Sequence, residues 1–206
     1  MKVLMINGSP REKGCTFTAL SEVALALRGE GVDSVILHVG NAPVQSCQAC
    51  RGCAGKGRCV IDDSVNVALD TMRECDGLVV GSPVHYASAS GAVTCFMDRL
   101  FYAGDCLAYK PGAAVVSCRR GGASAALDQL NKYFPIGRMP MVPSQYWCMV
   151  HGNTPDEVRQ DLEGLQIMRT LGRNMAWLLK CIDAGKQAGT VPPSPEQTRH
   201  QTNFIR

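Results

Sequence analysis

The chain has 206 residues, 46% hydrophobic and 19% charged, which sets aside a disordered or fibrous polypeptide and leaves material for one core of ordinary size. A net charge of +3, without a dense run of Lys and Arg, gives no footprint for nucleic acid. No apolar run approaches the roughly 18 residues of a membrane span, and Met1-Lys2-Val3 leads straight into a strand pattern rather than a signal peptide, so the expected setting is cytoplasmic.

Val3 to Ile6 reads as a first strand, ending in Gly8-Ser9-Pro10. A helix begins near Thr16 with Phe17, Leu20, Val23, Ala24 and Leu27 on one face, and Gly29 and Gly31 stop it. The turn between them is suited to a phosphate. A helix N-terminus presents N–H groups without intrahelical partners, and the dipole makes that end positive. Glycines let the turn wrap closely, while Ser9, Arg11 and Thr16 add donors. The stretch matches neither the dinucleotide nor the Walker pattern. A hydroxyl-bearing loop without a metal ligand fits a mononucleotide such as a flavin; the competing reading is a plain β–α turn.

Ser34 to Val39 reads as the second strand, followed by an aperiodic cysteine-rich loop, residues 41–61. Asp62 or Asp63 can cap a helix carrying Val65, Ala68, Leu69 and Met72. Gly77 to Ser82 is a near-continuous apolar run, as in a strand covered on both faces. A small-residue loop, Pro83 to Gly91, precedes a helix with Cys95, Phe96 and Leu100. Ala113 to Cys118 is the fourth strand, Arg119 to Ser124 its loop, and a helix runs through Leu127 and Leu130 to Tyr133. A less regular fifth strand is expected within Met141 to Val150, and one long helix from Asp156 to Ala184, stopped by Gly185 and Gly189. This gives one domain over residues 1–189 and an extended tail over 190–206. Alternating β and α elements imply a doubly wound α/β fold: a five-stranded parallel sheet, order 2-1-3-4-5, with helices on both faces. The loops after strands one, three and four then meet at the switch point, where ligands bind.

The eleven cysteines are odd in number and mostly scattered in apolar segments, which is no secreted disulfide framework. Cys47, Cys50, Cys53 and Cys59 differ, since their spacing C-x2-C-x2-C-x5-C packs four thiols into thirteen residues. Short gaps with glycines let a backbone wrap a cubane cluster. The bacterial ferredoxin run shares the first two gaps but has a last gap of three residues and a following Pro. Zinc ribbons separate two knuckles more widely, so zinc fits less well. A 4Fe–4S cluster, free thiols and a disulfide all remain open.

The stretches Gly8-Ser9-Pro10-Arg11, Cys47 to Asp63, Gly81 to Tyr86, Phe96-Met97-Asp98-Arg99, Ser117 to Gly122, Asp161 to Gly164 and Thr202 to Arg206 carry a resemblance. The chain is similar to the flavodoxin-like NAD(P)H-dependent FMN reductases, in particular their iron–sulfur flavoprotein branch. The resemblance implies a flavodoxin-like fold, bound FMN, NAD(P)H as co-substrate and a homodimer or homotetramer. It sets Ser9, Arg11, Thr16 and the Cys15 backbone at the FMN phosphate. Pro83, Val84, Tyr86 and Ser88 fall beside the isoalloxazine; Ser117, Arg120, Gly121 and Gly122 fall over its pyrimidine side. Cys47, Cys50, Cys53 and Cys59 fall where that branch has a compact cysteine loop. Relatives often carry Asn where this chain has Cys15 and Cys148.

Other residues have plainer readings. Tyr86 either edges the flavin or fixes its own loop; His85 reads as a surface residue; Arg119 and Arg120 either bind a nucleotide phosphate or are solvated. Trp147 and Trp177 read as core or subunit-contact residues. No side-chain acid or base is expected to be catalytic, because flavin N5 carries the hydride. The expected function is an FMN-dependent NAD(P)H oxidoreductase serving a quinone, a nitro or azo compound, a flavin or a protein acceptor. The alternatives are an iron–sulfur flavoprotein carrier fed by ferredoxin and a non-redox zinc-stabilised binding module.

Overall fold

Strand β1 (Lys2–Asn7) lies at the centre because its side chains from Val3 to Ile6 are apolar without interruption and are fully buried. It runs into helix α1 (Cys15–Gly29) and returns along the sheet edge as β2 (Asp33–His38), parallel to β1. Helix α2 (Ser64–Arg73) crosses back to β3 (Gly77–His85), which pairs with the other side of β1. The short β4 (Ser88–Ala89) folds antiparallel onto β3. After α3 (Gly91–Ala103), β5 (Gly112–Cys118) pairs with β3, and β6 (Met149–His151) pairs with β5. The parallel order is therefore β2-β1-β3-β5-β6. That is the expected doubly wound sheet of five parallel strands, with the two-residue β4 added. Helices α1 and α7 (Leu162–Gln187) pack together on one face, and α2 and α3 together on the other. A computed structural model describes residues 1–194, Thr202 and Phe204; the rest of the expected tail, including Asn203, Ile205 and Arg206, lies outside the described residues.

Four expectations need adjusting. The loop proposed from Pro83 to Gly91 is a hairpin: β3 continues to His85, and Tyr86 and Ala87, at φ 51° and 57°, turn into β4. Two central residues with positive φ make this the kind of turn whose twist matches paired strands, usually built from Asn and Gly. The helix proposed through to Tyr133 ends at Asn131 as α4 (Ala123–Asn131), and a separate turn of helix, α5, spans Tyr133–Ile136. The fifth strand shrinks to β6, because Pro140 and Pro143 have no N–H to give a ladder; of the earlier residues only Met141 bridges to Gly112.

The long helix is broken at Asp161 into α6 (Pro155–Gln160) and α7. With ψ at 78°, Asp161 leaves helical geometry, and its carboxylate accepts from the backbone N–H of Gly164 at 2.9 Å and of His151 at 2.7 Å. The second bond is tertiary, so apolar spacing alone could not announce the break. The α7 helix then runs past Gly185 to Gln187. No helix among the described residues is long and apolar enough to cross a membrane.

Candidate functional site

The loops after β1, β3 and β5 meet at the carboxyl edge of the sheet. The Gly8 N–H donates to the Gly81 carbonyl at 2.9 Å, and the Ser90 hydroxyl donates to the Gly8 carbonyl at 3.1 Å. Thr16 Oγ1 lies 2.8 Å from Ser117 Oγ, joining the start of α1 to the end of β5. Both hydroxyls are buried, Thr16 completely. Thr16 is therefore a strut beneath the loop as well as a potential donor to it.

The loop's shape is held from three sides. Asn7 Nδ2 donates to the Glu12 carbonyl at 2.8 Å, the Arg11 N–H donates to Ser9 Oγ at 3.1 Å, and His38 Nε2 lies 2.7 Å from the Ser9 carbonyl. Gly40, just past β2, packs directly on this loop: a Cβ there would lie 2.2 Å from the Ser9 carbonyl oxygen.

The helix starts differ in a telling way. Helices α2, α3, α6 and α7 begin with side-chain caps from Asp63, Ser90, Thr154 and Asp161. Helices α1 and α4, which start at this edge, have Gly14 and Gly122 at the N-cap and no side-chain cap. Neither has an acidic residue in its first turn. Their first N–H groups keep their positive end available for an anion. Arg11 is exposed beside the first of them. Burial pushes the Cys15 thiol above its ordinary value, so it stays neutral near pH 7 and puts no negative charge there. Its Sγ contacts the Gly152 carbonyl at 3.6 Å.

On the β3 side, Pro83, Val84 and Ser88 are half-buried and Tyr86 stands fully exposed at the hairpin tip. The ring does not pack into its own loop, which disfavours the plainer reading of Tyr86. Gln129 of α4 holds the hairpin, accepting from Ser88 Oγ at 2.6 Å and from the Ala89 N–H at 3.0 Å. Gly122 sits at φ 89°, and a Cβ on it would be 2.5 Å from the Ala87 Cα, so the β3 and β5 loops touch there. Arg120 and Gly121 are exposed, as are His85 and Arg119. Trp147 and Trp177 are 58% and 67% exposed, which excludes the core reading for both. Burial raises the Cys148 thiol to about 12, so it acts as a small apolar residue.

The four clustered cysteines lie elsewhere, on the flank. Cys47, Cys50, Cys53 and Cys59 line one small pocket with Gln48, Arg51, Val60, Ile61 and, from α3, Arg99, Tyr102 and Ala103. Ala49, Arg51, Gly55 and Gly57 have positive φ, from 51° to 68°, which coils the chain around that space. Asn66 of α2 grips the last cysteine, accepting from the Cys59 N–H at 2.9 Å and donating to its carbonyl at 3.1 Å. Among the described residues, no three His, Cys, Asp or Glu side chains converge as for one metal ion. The four thiols nonetheless border the same pocket, and four thiolates are the donor set that a 4Fe–4S cluster takes. Sequence reasoning gave no role to Gly40, Asn66, Arg99 or Gln129; Gly40, Arg99 and Gln129 act through partners distant in the chain, and Asn66 through the loop just before its own helix.

A parallel, doubly wound sheet with uncapped helix starts at its carboxyl edge defines a flavodoxin-like mononucleotide-binding protein. Residues 1–154 match the family described as NADPH-dependent FMN reductase. The chain is 32% identical to an iron–sulfur flavoprotein of Methanocaldococcus jannaschii over 191 residues, 88% of this chain and 99% of that one. It belongs to the NADPH-dependent FMN reductase family, in the iron–sulfur flavoprotein branch. Among solved structures, RosB with a bound 8-demethyl-8-formylriboflavin-5'-phosphate intermediate superposes with a TM-score of 0.70 at 16% identity, covering 100% of this chain and 94% of that one. FerB, an NAD(P)H:(acceptor) oxidoreductase from Paracoccus denitrificans, gives a TM-score of 0.64 at 15% identity, covering 87% of this chain and 97% of that one. These two likenesses bear on the fold. Family and fold together make the protein an FMN-dependent flavoprotein oxidoreductase.

Proposed function

We propose that the protein oxidises NAD(P)H through bound FMN and passes the electrons on by way of a 4Fe–4S cluster at Cys47, Cys50, Cys53 and Cys59. The observation that carries the FMN site is the pair of glycine-started, uncapped helices at one sheet edge, with Arg11 exposed beside them. In this reading Ser9, Arg11, Thr16 and the Cys15 backbone hold the phosphate. Pro83, Val84, Tyr86 and Ser88 border one part of the ring, and Ser117, Arg120, Gly121 and Gly122 another. FMN supplies the N5 position that accepts a hydride from nicotinamide; the protein orients the two rings and needs no side-chain base. The final acceptor is a quinone, a nitro or azo compound, a flavin or a redox protein.

Anaerobic NADPH should bleach the visible flavin band of the purified protein within the mixing time of a manual assay. A flavin that stays oxidised with NADPH and NADH, but is reduced by a low-potential ferredoxin, would favour the second reading, an iron–sulfur flavoprotein carrier. The cysteine-lined cavity and the iron–sulfur flavoprotein relatives keep that reading in view. Colourless protein that takes up no FMN would return the zinc-stabilised module.

The phosphate assignment has its own test. Thr16→Ala should weaken FMN by about 1–3 kcal/mol, the range for a lost hydrogen bond to a charged group. Fluorescence titration of the apoprotein measures it, and unchanged affinity would remove Thr16 from the site. Exposed Tyr146, Trp147, Leu162 and Trp177 support assembly into a homodimer or homotetramer. Light scattering at micromolar concentration should show that assembly; a fully active monomer would refute it.

A further inference from the structure

We propose that Arg99 is the positioning residue of the cysteine loop: its buried guanidinium closes both limbs of the loop and donates a hydrogen bond to the Cys59 sulfur, raising the reduction potential of the cluster held there. This rests on the cluster reading above. Arg99 stands on α3, inside the protein, with 1% of its side chain exposed. A guanidinium so deep must have its donors satisfied, and every partner found belongs to the loop or its exit. Nη1 and Nη2 pair with Asp63 Oδ2 and Oδ1 at 2.6 and 2.9 Å, in the two-pronged geometry that fixes orientation as well as charge. Nη2 also donates to the Ile61 carbonyl at 2.9 Å and Nη1 to the Gln45 carbonyl at 3.4 Å. Gln45 lies before the first cysteine and Ile61 after the last, so one rigid group clips the loop shut.

The remaining donor, Nε, points at Cys59 Sγ at 3.3 Å. Asp63 occupies the other side of the guanidinium and leaves Nε no freedom to turn away. Cys59 is thus fixed twice, by Asn66 through its backbone and by Arg99 through its sulfur, whereas Cys50 is exposed on the opposite limb. Hydrogen bonds to cluster sulfurs and nearby positive charge both favour the more negative, reduced state. A lysine could keep the charge but could not hold Asp63, two carbonyls and a sulfur at once.

The test compares wild type with Arg99→Lys and Asp63→Asn, with FMN content as the control for folding. In anaerobically prepared holoprotein, Arg99→Lys should shift the cluster midpoint to lower potential and alter its EPR signal. In protein stripped of metal, trypsin should cut the cysteine loop at the exposed Arg51, Lys56 or Arg58 about tenfold or more faster than in wild type, because the clip from Gln45 to Ile61 is weakened. Asp63→Asn, which frees the guanidinium without removing it, should likewise speed cutting of the loop. Potential, EPR and the rate of loop cutting all unchanged in FMN-replete Arg99→Lys would overturn the proposal. An iron-free wild type would overturn the effect on potential and the cluster reading with it. Arg99-dependent protection of the loop from trypsin in that protein would still support the clamp.

Discussion

Replacing Cys50 by Ala should empty the cysteine loop of iron, from about four per chain to a small residue, while leaving FMN in place. Cys50 suits the experiment because it is exposed and packs into no core, so its loss removes one ligand with little cost to folding. Cys59 would be a poorer choice, being tied into α2 and α3 through Asn66 and Arg99. The flavin loops stand apart from this cavity. Arg99 lies nine residues beyond the Ser90 cap of α3, about 13 Å down the helix from the carboxyl edge of the sheet at 1.5 Å per residue. Iron counting and low-temperature EPR of the dithionite-reduced protein measure the outcome. Iron that stays at the wild-type level in Cys50→Ala would remove that residue from the ligand set. An anaerobic wild type without iron but with normal NAD(P)H oxidation would leave a plain flavin reductase.

Gly40→Ala should weaken FMN by about five- to 150-fold, the equivalent of an overpacking cost of about 1–3 kcal/mol. The new methyl carbon would sit 2.2 Å from the Ser9 carbonyl oxygen, 2.4 Å from its carbon and 2.6 Å from the Gly8 carbonyl carbon. These are backbone atoms, so no flexible side chain can move aside. The loop itself must shift, and His38, bonded to the same Ser9 carbonyl, must shift with it. The midpoint of thermal unfolding should fall as well, by about 2–4 °C per kcal/mol in a chain of this size. Fluorescence titration and thermal denaturation give the two numbers. Lowered stability with full FMN affinity would place the phosphate away from the Gly8–Gly14 loop.

Much of the site was legible because its chemistry is local. Gly8 to Thr16 advertises a phosphate loop through glycines, hydroxyls and an arginine next to a helix start, and these act within a few residues of one another. The four cysteines are legible for the same reason. Gly40 is not, because its need to lack a side chain comes from Ser9, thirty-one residues away. Arg99 ends one of the stretches that carry the family resemblance, but the sequence assigns it no partner. Only folding shows that it points inward to Asp63 and Cys59. The exposure of Trp147 and Trp177 was equally hidden, since a tryptophan at helical or strand spacing looks the same whether core or surface receives it.

The sequence by itself determined the α/β alternation, the parallel sheet and its order, because apolar runs, periodic helices and glycine stops are properties of short segments. It also singled out Gly8 to Thr16 as the proposed phosphate loop and the four clustered cysteines as the place for thiol chemistry. Tertiary structure alone decided that β3 folds back as a hairpin at Tyr86, that Asp161 splits the last helix by bonding to β6, and that Arg99 locks the cysteine loop onto α3. Each of these depends on a hydrogen bond or a close approach between residues far apart in the chain, and such contacts exist only once the sheet has brought them together.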